Sequence, residues 1–248
     1  MDFLQQGLLI VTLVMIFITK ISSFDAKGVP TCNNYVINTY LYLALSILFL
    51  GWATIVFPSS ISDNKFYALL FMILSLVLVV YIALQNDYQT TMNEVWWSHL
   101  SWLAFIVLIS FVTSTYLHHP FYSQHISSAI MMVALIFTVM SSFVYLMPGF
   151  FEQSYSQAIL GLLIGLVVIL VVELLTVISL FLGYKKNTIF HYTSYAVIFL
   201  FSLFVSYDTS RMFSFAKSCQ NMPNYPKASI TFFLDIMNLF QRVLFLQR

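Results

Sequence analysis

Three acidic residues stand inside long runs of Val, Leu, Ile, Phe and Met: Glu173, Asp208 and Asp235. A charged side chain at the middle of a membrane costs about 2.5–3.5 kcal/mol on insertion scales, so such acids are functional candidates by default. Asp208 lies about seven residues before its apolar run ends near Phe215, and Asp235 lies about eight residues after the next run starts near Lys227. At 1.5 Å per helical residue, both carboxyls then sit about 10–13 Å below one membrane face, on neighbouring antiparallel helices. Facing each other in low dielectric, two acids cannot both ionise cheaply and share a proton. That chemistry makes a proton-sensitive latch, or a cation site once both are ionised.

Other arrangements use the same residues. The two acids could titrate separately near a helix end. Asn238 and Arg242 share the Asp235 face of a helix, which allows an internal salt bridge. Arg211, one turn beyond Asp208, either pairs with that acid or reaches out to lipid phosphate. Glu173 is either a protonated acid bonded to a carbonyl or hydroxyl, or an acid lining a pore or proton path. His118, His119 and His125 lie close in sequence, but adjacent histidines do not point one way from a helix, and interfacial histidines are the simpler reading. No metal or cofactor is expected.

The elements that position these acids follow from composition. Only ten Lys plus Arg and nine Asp plus Glu occur in 248 residues, 8% charged against about 25% in a soluble domain. Hydrophobic residues make up 60% and aromatics 18%. This excludes a soluble enzyme and a secreted disulfide domain, and a net charge of +1 leaves no footprint for nucleic acid. Continuous apolar runs, without period-two alternation, argue for helices and against a β-barrel.

Eight runs are long enough to span a core of about 30 Å: residues 3–19, 35–57, 66–84, 96–116, 126–147, 157–182, 191–215 and 227–245. The fold class is an all-α polytopic transmembrane helix bundle. The chain divides into residues 1–34, an extra N-terminal transmembrane or signal-anchor helix with its loop, and 35–248, a seven-helix membrane domain. The first run lacks a basic start and a small-residue cleavage site, which favours a retained span over a signal peptide. With that run entering from outside, inside loops hold Lys20, Lys27, Arg211, Lys217 and Lys227, against Lys65, Lys185, Lys186 and Arg248 outside. That near-tie places the 216–226 loop on the cytosolic side. Cys32 and Cys219 would then face the cytosol as free thiols.

The strings Ser206-Tyr207-Asp208-Thr209-Ser210-Arg211-Met212, Tyr225-Pro226 and Phe233-Leu234-Asp235-Ile236-Met237-Asn238-Leu239-Phe240 resemble the end of the transmembrane Bax-inhibitor-motif (Bax inhibitor-1/lifeguard) family. From about Tyr35 the rest agrees in hydropathy pattern. The resemblance implies six helices around a central last helix, in endoplasmic reticulum, Golgi or plasma membranes. It implies a pH-sensitive calcium leak and restraint of cell death, with Asp208 and Asp235 as the paired-carboxylate sensor and Ca²⁺ as the permeant ion. It also implies partners among membrane lipids and cell-death or calcium-handling membrane proteins. The basic cluster that latches the first acid in bacterial relatives is missing, since this place reads Ala83-Leu84-Gln85-Asn86-Asp87; Arg211 or Arg242 would have to substitute.

Four functions use these residues: a proton-gated cation leak, a non-transporting regulator that binds other membrane proteins, a proton-coupled antiporter and an intramembrane aspartyl protease. The protease fits poorly, because Phe232-Phe233-Leu234-Asp235 lacks the Gly-x-Gly-Asp backbone approach and no Pro-Ala-Leu element occurs. The chain is expected not to be an enzyme.

Overall fold

The computed structural model describes residues 3–56, 65–117, 124–148, 155–181, 187–220 and 222–247. They form eight helices in chain order: α1 (Phe3–Ser23), α2 (Tyr35–Val56), α3 (Lys65–Leu84), α4 (Met92–Leu117), α5 (Ile126–Leu146), α6 (Tyr155–Phe181), α7 (Asn187–Ser218) and α8 (Tyr225–Leu246). Six of them are long and apolar enough to cross a membrane, and α3 and α6 add shorter apolar stretches, Leu69–Leu84 and Ile159–Val172. The chain is a multi-pass helical membrane protein. The order agrees with the hydropathy runs, but α7 is longer than its run, at 32 residues. That is about 48 Å of helix, more than a bilayer core needs.

Hydroxyl residues are tolerated in these spans because they bond to their own helix. Thr12 donates to the Leu8 carbonyl, Thr39 to Tyr35 and Ser46 to Tyr42. In lipid, where no water is at hand, this satisfies each hydroxyl locally. Large side chains such as Leu84, Trp96, Phe199 and Met131 stand exposed on the helices, the surface that lipid tails cover.

The chain divides into two compact units. The first comprises Met1–Ser123 with Phe215–Phe233. There α1 packs on α2, and α4 packs on both α2 and α3. The first turn of α8 is tied down by Tyr225, whose ring stacks on Tyr35 and Tyr42. Its hydroxyl donates to the Thr31 carbonyl and accepts from Asn38 Nδ2 at 3.1 Å. Asn224 caps α8, its Oδ1 accepting from Lys227 N at 3.1 Å and from the Ser98 hydroxyl at 2.6 Å. Pro226 follows, in the first turn, where its missing N–H costs nothing.

Cys32 and Cys219 are joined in a disulfide across 187 residues of sequence. This corrects the expectation of two free thiols. The α1–α2 and α7–α8 loops, read as separate loops that merely share a face, meet in the first unit. Disulfides persist in oxidising compartments, so the bond argues against a cytosolic setting for the 216–226 loop. A margin of one basic residue was too small to orient the chain.

The second unit comprises Gln124–Ser214 with Leu234–Arg248. Its core includes Leu162 of α6 with Leu200 and Tyr207 of α7. Gly165 lets α6 come close to α7: a Cβ there would lie 3.2 Å from Leu200 Cδ1.

Candidate functional site

The acids of the second unit are set by the register of α7 and α8. Asp208 lies ten residues before the end of α7 at Ser218, and Asp235 lies ten residues after the start of α8 at Tyr225. Both helices extend further toward the loop than their apolar runs do. Equal spacing on antiparallel helices puts the two carboxyls at one depth, about 15 Å from the helix ends.

The carboxyls meet. A side-chain hydrogen bond joins Asp235 to Asp208. Asp235 is 5% exposed, and Asp208 is half-buried beside it. A hydrogen bond between two carboxyls requires a proton on at least one of them, so the contact forms only while the pair is not fully ionised. The outer oxygen, Asp235 Oδ2, is buried without a partner.

Hydroxyl residues flank Asp208 along α7. Ser206 Oγ is likewise buried and without a partner. Thr209, fully buried, donates to the Val205 carbonyl at 2.7 Å and lies 3.3 Å from Ser141 Oγ on α5. These neighbours escaped notice in the sequence; the signal was the run of hydroxyl residues on either side of Asp208. Chemically, the site can take up and release a proton and, when deprotonated, presents carboxylate and hydroxyl oxygens to a cation. Among the described residues no cluster of three or more His, Cys, Asp or Glu could hold a metal.

The other singled-out residues lie as follows. Asn238 turns its amide back onto α8, donating to the Leu234 carbonyl at 2.8 Å. Arg211 is exposed and Arg242 half-buried, both in the same unit as the acids. Glu173 lies on α6, but its side chain is outside the described residues, as are His118 and His119. His99 is held by its Nδ1 on the Val95 carbonyl at 2.7 Å and its Nε2 on the Tyr42 hydroxyl at 2.7 Å. The Gln85–Asp87 stretch, which lacks a basic residue, receives one from elsewhere. Lys227 Nζ lies 2.9 Å from Asp87 and donates to the Gln85 carbonyl.

The Bax1-I family, inhibitor of apoptosis-promoting Bax1, matches residues 32–247. The chain belongs to this family. The Bax1-I match takes in seven of the eight described helices, both acids and both cysteines, and leaves α1 outside it. No match to the chain was found among curated proteins or among solved structures.

Proposed function

We propose that this Bax1-I protein is a proton-sensitive leak for cations, Ca²⁺ above all, and that it restrains cell death in an endoplasmic reticulum, Golgi or plasma membrane. Family membership supports the coarser reading of an anti-apoptotic membrane protein. The observation that carries the leak is the contact of the Asp208 and Asp235 carboxyls inside the bundle. With one proton present, the acids hold α7 and α8 together. When the proton leaves, two like charges stand side by side in low dielectric and push apart. The same loss leaves carboxylate oxygens free to replace part of a cation's water shell.

The test is Ca²⁺ flux into dye-loaded liposomes between pH 5 and 9. Flux is expected to rise with pH in the parent protein and to lose that dependence in Asp208→Asn and Asp235→Asn. Flux indifferent to both substitutions would remove the proposal. Cell-death protection that survives the double substitution would instead favour a regulator that works by binding other membrane proteins. Stoichiometric proton counter-flux would make it an antiporter.

A further inference from the structure

The first unit holds a pocket of about 210 Å³ between the end of α3, the α3–α4 loop and the start of α4. Tyr81, Tyr88, Gln85, Gln89, Glu94 and Trp97 line it. Gln89 is 4% exposed and fixed at both ends. Its backbone N–H donates to the Met222 carbonyl at 2.8 Å, and its side-chain amide N–H faces the Glu94 carbonyl at 3.5 Å. That contact orients the amide, since the reversed amide would set two oxygens against each other. Its Oε1 is then a buried acceptor with no donor. A buried acceptor without a partner marks a place where a donor is wanted.

The lining decides what donor. Glu94 is the one charged residue in it, and no lysine or arginine lines the pocket. The Glu94 carboxylate is held in place by the Thr90 N–H at 2.7 Å and the Thr90 hydroxyl at 3.1 Å. Tyr81, Tyr88 and Trp97 add three aromatic rings, and Tyr88 is fixed by stacking on Phe215 at 4.8 Å. One carboxylate, one orphan acceptor and aromatic rings suit a primary organic ammonium, which donates hydrogen bonds and is attracted to ring faces as well as to charge. A bare Ca²⁺ asks for six to eight oxygens and gains nothing from rings.

A second hollow adjoins the first. It measures about 550 Å³, shares Tyr81 and Trp97 with the pocket, and is otherwise lined by Leu78, Leu100, Ser101 and Ala104. It is almost wholly apolar and runs along membrane-crossing α4 and the apolar stretch of α3. An acid-flanked pocket of mixed lining at a helix end that continues into an apolar groove along the span has the shape of an amphiphile.

We propose that this pair of hollows binds a phospholipid with a primary ammonium headgroup, phosphatidylethanolamine. The ammonium sits among Glu94, Gln89 and the rings, and one acyl chain lies in the α3–α4 groove. The test uses the full chain in nanodiscs of equal parts phosphatidylethanolamine, phosphatidylcholine and phosphatidylglycerol, with native mass spectrometry of the lipid retained after release. Retention of phosphatidylethanolamine over phosphatidylcholine and phosphatidylglycerol is expected at about tenfold. Glu94→Gln keeps the hydrogen bonds to Thr90 and removes the charge; it and Trp97→Leu are each expected to cut that preference about fivefold. Melting curves check that both variants fold, and Gln89→Leu, which removes the orphan acceptor, serves if either does not. Equal retention of all three lipids, or a preference untouched in every folded variant, overturns the proposal. Free ethanolamine that binds as tightly as the lipid overturns the lipid assignment; ethanolamine that fails to displace it supports the groove.

Discussion

Lys227, in the first turn of α8, lies 2.9 Å from Asp87 in the loop after α3. It is the basic residue missing from the Gln85-Asn86-Asp87 stretch itself. The bond is one strand of a denser tie. Asn224 N–H donates to the Asp87 carbonyl at 3.0 Å, and Asn224 Nδ2 donates to Gln85 Oε1 at 3.1 Å. The turn into α8 and the turn into α4 thus form one hydrogen-bonded block within the first unit.

Removing either end of the ion pair should cost different amounts. Asp87 is 42% exposed and Lys227 17%. Asp87→Asn is expected to cost about 0.5–1 kcal/mol, the range of a screened surface pair. Lys227→Met also strands the Gln85 carbonyl and is expected to cost about 1–3 kcal/mol. Denaturant melts of the two single variants and the double variant check this, and a coupling close to zero would show that the pair contributes nothing.

The acid pair should give the fold a pH dependence of its own. The carboxyl–carboxyl hydrogen bond stabilises only while it holds a proton, so its contribution is present at low pH and is lost as pH rises through the pair's titration. The melting temperature of the detergent-solubilised protein is expected to fall across that range. In Asp235→Asn the amide donates to Asp208 at any pH, and the fall is expected to disappear. Differential scanning fluorimetry from pH 5 to 9 reads both.

Tyr225→Phe removes one hydroxyl that serves two partners. The Thr31 carbonyl loses its donor and Asn38 Nδ2 loses an acceptor. The ring stacking on Tyr35 and Tyr42 is kept, so the loss isolates the polar contribution. A destabilisation of about 1–3 kcal/mol is expected, read from denaturant melts of the variant beside the parent protein.

The disulfide should be visible on a gel. Non-reducing electrophoresis is expected to show faster migration than after reduction, and maleimide is expected to label Cys32 and Cys219 only after reduction. Replacing both by serine should cost about 2–4 kcal/mol. A glycosylation sequon placed in the loop between α1 and α2 is expected to be modified in cells, because an oxidising compartment is on that side. An unmodified sequon would return the loop to the cytosol.

Helix order was legible because each span needs an unbroken apolar stretch, and the runs from 35–57 onward show one after another. The shared depth of Asp208 and Asp235 was legible too, because a short turn forces antiparallel helices to count residues from a common face. The helix ends were not: α7 continues through Ala216, Lys217 and Ser218, where hydropathy has already faded but backbone hydrogen bonding has not. Long-range pairing was also hidden. Nothing local to Cys32 or Cys219 says that their loops meet, and Lys227 carries no sign of Asp87, 140 positions away. The pocket beneath Gln89 was hidden for a related reason: polar residues between two spans look like a solvated turn until one of them proves to be buried.

The Cys32–Cys219 bond makes residues 32–219 a covalent ring, with α1 in its N-terminal tail and α8 in its C-terminal tail. A protease that cuts once inside the ring opens it without releasing a fragment. Cleavage between α4 and α5, or between α5 and α6, should leave a particle of unchanged mass (one added water aside) that separates into two pieces only when reduced. A cut in the five residues that follow Cys219, 220–224, severs α8 from the ring at once. Nicking in the membrane therefore maps the ring: the same enzyme yields one species or two depending on which side of Cys219 it finds.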